Sequence, residues 1–88
     1  PELVNGVLAH QDELDAQIES KLAPGWTLSR LARPDLVILR LALYELEYTQ
    51  VPNAVAINEA LRLAHDFSDE KSYRFINGVL DSIESEQN

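Results

Sequence analysis

ILRLALYEL at 38–46, followed after a short turn by PNAVAINEA at 52–60, decides the fold. In the first block apolar side chains face every direction of a helical turn, interrupted only by Arg40 and Glu45. A helix of that kind lies at the centre of a bundle, surrounded by its neighbours. Pro34 opens it, where a missing N–H costs nothing, and Asp35 stands in the first turn, where the helix dipole favours a carboxylate. Arg33 closes the preceding segment, because a residue before proline is pushed away from helical dihedrals. The second block belongs to a helix over about 53–66. Its stripe of Ile57, Ala60, Leu61, Ala64 and Phe67 predicts the buried face, with Glu59, Arg62 and Asp66 outward.

Working outward, Leu3, Val7, Leu14 and Ile18 recur at helical spacing, with Val4, Leu8 and Leu22 beside them. They predict one helix ending at Ala23, Pro24 and Gly25. A short helix follows Trp26, with Thr27 as its cap and Leu28 and Leu31 as its buried contacts. After Ser68 and Asp69, the residues Tyr73, Ile76, Val79, Leu80 and Ile83 form the stripe of a last helix, and 84–88 reads as a frayed polar tail. The class is therefore all-α, a bundle of about five helices forming one domain over 1–88. NGVL occurs at 5–8 and again at 77–80. Both copies lie inside helical periodicity, so Gly6 and Gly78 are expected to permit close helix contact.

With 88 residues and no Cys, neither a disulfide nor a thiolate metal site supports the modest core. The longest apolar stretch falls short of the roughly 20 residues of a membrane span, and there is no basic, apolar leader. The chain reads as soluble and cytoplasmic, without a membrane partner. Seven Lys and Arg against fifteen Asp and Glu give a net charge of −8, which opposes non-specific attraction to phosphate. The distribution is uneven: residues 1–20 carry five carboxylates and no cation, whereas 21–40 hold Lys21, Arg30, Arg33 and Arg40 against Asp35. The absence of Met at the start, on an already helical pattern, suggests a piece of a longer chain.

No nucleophile with a base, tuned carboxylate pair or glycine-rich phosphate loop is visible, so no catalytic residue, cofactor or metal ligand is assigned. His10 and His65 read as solvated surface residues. Glu45 and Glu47 beside Tyr44 and Tyr48 fit either a docking surface or a solvated helix end. Asn58 and Asn77 read as amides hydrogen-bonded within the structure. The best nucleic-acid candidates are Lys71, Ser72, Arg74 and Phe75: two cations, a hydroxyl and an aromatic ring at a helix start. Free N–H groups there attract phosphate, and single-stranded RNA is held by phosphate contacts plus stacking. On composition alone, a solvated face with a core phenylalanine weighs more.

The two opening blocks, with FINGVLD at 75–81, resemble the carboxyl-terminal half of the NusB family of bacterial transcription antitermination factors. The likeness extends from LVNGV at 3–7 to Ile83, and includes 26–31 and Asp35. It implies an all-helical protein of two bundles, of which this chain is the carboxyl-terminal one, and no enzymatic activity. It further implies binding of boxA RNA in nascent ribosomal-RNA transcripts, as a heterodimer with NusE, a small-subunit ribosomal protein. Other Nus factors and RNA polymerase are engaged indirectly, and premature termination is suppressed. A homodimer is left open. The partner's docking side, by resemblance, lies near Asp35 and Glu45. The family's arginine-rich amino-terminal segment does not precede Pro1 in this sequence.

Two other readings stand beside this one. The NusB-like targeting domain of ribosomal-RNA cytosine methyltransferases usually ends on a motif resembling VNAVLR, where this chain has INGVLD at 76–81 and then a polar tail. A helical adaptor that binds only protein is the second.

Overall fold

α3 (Arg33–Tyr48) touches each of the other four α-helices, as the apolar run demands. The computed structural model describes residues 2–87 and the side chains of 3–86. Around α3 stand α1 (Glu2–Ala9), α2 (Gln11–Glu19), α4 (Asn53–Phe67) and α5 (Glu70–Gln87), with a single 3₁₀ turn at Leu28–Arg30 and no strand among the described residues. Leu39 and Leu43 of α3 meet Leu14 and Ile18 of α2 and Ile76 and Leu80 of α5 in one core. All six are completely buried. Ala56, Ala60 and Ala64 recur every fourth residue on the buried face of α4, and such small side chains let α3 and α4 approach closely. The wrapping of α3 is incomplete, since Val37 is 46% exposed.

The single helix expected over the first 22 residues is two. His10 leaves helical geometry (φ −113°, ψ 14°), although its N–H still reaches Gly6 O and its carbonyl still accepts from Leu14 N. Its ring stacks on Tyr48 at 4.0 Å between centroids, so His10 is half-buried and not the solvated residue expected. His65 is exposed as expected. Only Val7 of the α1 stripe is buried, and Leu3, Val4 and Leu8 stand out.

Other expectations are corrected by particular contacts. Phe67 is 71% exposed, because it is the last residue of α4 and the chain leaves in extended geometry at Ser68. Leu61, Leu28 and Leu31 are partly buried at the margin of the core. A Cβ at Gly6 would overlap the Tyr44 phenol, so close approach holds there, whereas one at Gly78 would meet open space. Asn58 is exposed on α4. The polar tail continues α5 to Gln87, with Ile83 buried and Glu86 paired to Lys21.

Candidate nucleic-acid interface

Asp35 organises the region where the first turns of α3 and α5 meet. It is 6% exposed, and its Oδ1 accepts from Ser68 Oγ at 3.2 Å while Oδ2 accepts from Ser72 Oγ at 2.9 Å. A buried carboxylate is tolerated only when its lone pairs are satisfied in this way. Asp35, near which the partner's docking side is expected, does not itself present its carboxylate to solvent: its oxygens are turned inward to two hydroxyls of its own chain. Asp69 caps α5, accepting from Ser72 N at 2.8 Å. That N–H bond is the main reason the Asp69 carboxyl is held below its ordinary range, with the Lys71 charge contributing less.

The segment between α2 and α3 lies against this junction. Trp26 N–H bonds to Ala23 O at 3.0 Å around Pro24 and Gly25. Gly25 has φ +86°, the left-handed position that the third residue of such a turn requires. The short helix expected next is a 3₁₀ turn, closed by bonds from Arg30 N to Thr27 O and from Leu31 N to Leu28 O. Thr27 makes no side-chain cap, and its hydroxyl lies 2.8 Å from that of Ser29.

Between this segment and α5 runs a groove of about 460 Å³, lined in part by Trp26, Arg30, Asp35, Lys71, Ser72 and Phe75. The structure thus brings together three of the four expected RNA residues, Lys71, Ser72 and Phe75. Arg74 is held apart, its Nη2 bonded at 2.9 Å to Glu70 Oε1 one turn back. Phe75 is partly buried against the core and also lines the groove. Trp26 and Arg30 were not among the expected site residues, because no local pattern ties that loop to α5. A lone tryptophan four residues before an arginine was the only signal.

Glu45 lies elsewhere, half-buried on α3. Its carboxyl is pushed up from the ordinary value of 4.5, first by burial and then by the neighbouring Glu59. Nearby, Tyr48 donates to Glu13 Oε2 at 2.6 Å, a bond that pushes the phenol up to about 12. Gln17 donates to Glu47 Oε2 at 3.0 Å, so Glu47 is tied to α2. Among the described residues no group of three metal-type ligands converges, and no helix is long and apolar enough to cross a membrane.

Comparison with known proteins agrees with this architecture. The NusB family model matches residues 1–85. The transcription antitermination protein NusB of Levilactobacillus brevis is 67% identical over 79 residues, which cover 89% of this chain and 56% of that protein. The protein of the same name from Limosilactobacillus reuteri is 61% identical over 87 residues, covering 98% of this chain and 63% of the relative. These relatives carry the name of a transcription factor and not of an enzyme, as expected for this chain. A solved structure of NusB from T. maritima superposes with a TM-score of 0.87 at 36% identity, covering 93% of this chain and 58% of that one. The chain spans less than two-thirds of the length of the relatives it matches. On the match over 1–85 and the shared all-helical fold, the chain belongs to the NusB family.

Proposed function

We propose that the chain is the part of a cytoplasmic transcription antitermination factor that holds boxA RNA of nascent ribosomal-RNA transcripts, acting with NusE. The observation that carries this reading is the groove. On a chain of net charge −8, Arg30 and Lys71 border one cleft with Trp26 and Phe75, and Asp35, which also lines it, is taken up by two serine hydroxyls. Cations beside aromatic faces are what single-stranded RNA requires. The carboxyl-terminal half supplies stacking and a few phosphate contacts, and the arginine-rich segment implied by the family supplies most of the salt-dependent attraction.

The partner surface in this reading centres on Glu45, whose crowding with Glu59 a basic ribosomal protein would relieve. Asp35 serves indirectly, by holding Ser72 in place. Other Nus factors and RNA polymerase are engaged through the assembled pair. The test is fluorescence anisotropy with labelled boxA RNA and a scrambled strand, with and without NusE. Preference for boxA, sharpened by NusE and weakened by Glu45→Lys only when NusE is present, is the expected result. Equal affinity for both strands in either condition would sink the reading.

A further inference from the structure

Trp26 has no role in the helix packing described above. It is 48% exposed, although an indole is among the costliest side chains to leave in water. Its position is nonetheless built. The Ala23–Trp26 turn fixes its backbone, and the Arg30 guanidinium carbon lies 5.6 Å from the ring centroid, within cation–π range. Phe67, Val37 and Val55 are also exposed, but none of them lies in the groove. Trp26 borders the same cleft as Lys71 and Phe75, and of the described residues lining that cleft only Asp35 bears a carboxylate.

We infer that Trp26, backed by Arg30, is a second base-stacking platform on the loop side of the groove, so that single-stranded RNA runs between the 23–32 segment and α5. The inference rests on the RNA reading above and adds the residues that complete it. A base laid on the indole gains stacking regardless of its identity, because every base offers a π face. Arg30 enriches that contact and stands ready to neutralise a neighbouring phosphate, while Lys71 does the same from α5. Two rings in one cleft favour adjacent nucleotides over a single one. This suits an extended strand better than a duplex, whose bases are paired and stacked already.

The chain has a single Trp, so indole emission reports on this platform alone. The 88-residue chain is titrated with a labelled uridine-rich single strand at low salt, following anisotropy of the RNA and emission of the protein together. Trp26 emission is expected to be quenched along the same isotherm as the anisotropy. Trp26→Leu should weaken binding roughly five- to a hundredfold, Trp26→Phe should restore most of the affinity, and melting by circular dichroism should be unchanged in both. RNA binding by anisotropy with flat indole emission and an unaffected Trp26→Leu variant overturns the platform and leaves the RNA reading standing. No anisotropy change with the wild-type chain overturns both. Quenching by an acidic peptide but not by RNA reassigns the groove to a protein partner and also overturns the inference.

Discussion

Arg40 and Asp15 meet in a two-pronged ion pair, Nε to Oδ1 at 2.7 Å and Nη2 to Oδ2 at 2.9 Å, that joins α3 to α2. The side chains are only 21% and 19% exposed, so each charge depends on the other. Removing one partner leaves a poorly hydrated charge, whereas replacing both with apolar groups does not. Asp15→Ala or Arg40→Ala should therefore lower stability by about 2 kcal/mol in urea denaturation. The pair Asp15→Leu with Arg40→Met should recover most of that loss. A double variant as unstable as the two single losses added together would show the charges to be uncoupled.

Leu39 and Leu43 are completely buried at the centre of the core. An aspartate at either position finds no partner among Leu14, Ile18, Ile76 and Leu80, and its burial costs several kcal/mol, on the order of the whole stability of a small domain. Leu39→Asp and Leu43→Asp should lose helicity and cooperative melting by circular dichroism. Native-like melting of both variants would refute the central placement of α3.

The two glycines of the repeated NGVL sequence should respond in opposite ways to alanine. Gly6→Ala drives a methyl into the Tyr44 phenol and should cost about 1–3 kcal/mol. Gly78→Ala meets open space within a helix and should stabilise by up to about 1 kcal/mol. Thermal melts of the two variants side by side check both signs.

Glu45 carries the clearest pH signature. With its folded carboxyl pushed above 4.5, the native state holds, between 4.5 and that raised value, a proton that the unfolded chain has already lost. Its contribution to stability therefore falls as pH rises from 4.5 through the raised native value. Glu45→Gln should raise Tm at neutral pH, with the gain vanishing as pH falls below the ordinary glutamate range. A gain of the same size in acid would point to a cause other than charge.

On the groove, Lys71 and Arg74 should separate. Lys71→Ala should weaken RNA binding and reduce the slope of log affinity against log salt by about one, as expected for one lost phosphate contact. Arg74→Ala should change both much less, because its guanidinium is bonded to Glu70. Phe75→Leu should cost about 1–3 kcal/mol of binding if a base stacks there, and little if the ring only packs. Anisotropy titrations at two salt concentrations distinguish these outcomes.

What the sequence revealed and what it hid divide along a physical line. The helices over 33–48, 53–67 and 70–87 announce themselves by the periodicity of their own apolar residues, as do the buried positions Leu39, Ile57, Ile76 and Leu80. Arg40 reads as an interruption until Asp15 is found beside it on α2. The break at His10 is invisible locally, since the backbone bonds continue across it and the Tyr48 ring that stacks there comes from α3. The helical tail is paired through Glu86 to Lys21, far away in sequence. Lys71, Ser72 and Phe75 were legible because one helix start holds all three. Trp26 and Arg30 were not, because their loop joins α5 only in three dimensions.

The two serines that satisfy Asp35 lie 33 and 37 residues further along the chain. During synthesis α3 emerges with that carboxylate unsatisfied, and it cannot be buried without penalty until the α4–α5 junction has followed. The groove that Asp35 shares with Lys71 and Ser72 is thus completed only once the start of α5 has followed α4. A polypeptide truncated just before Ser68 would retain all of α4 yet lack both hydroxyls that let Asp35 be buried.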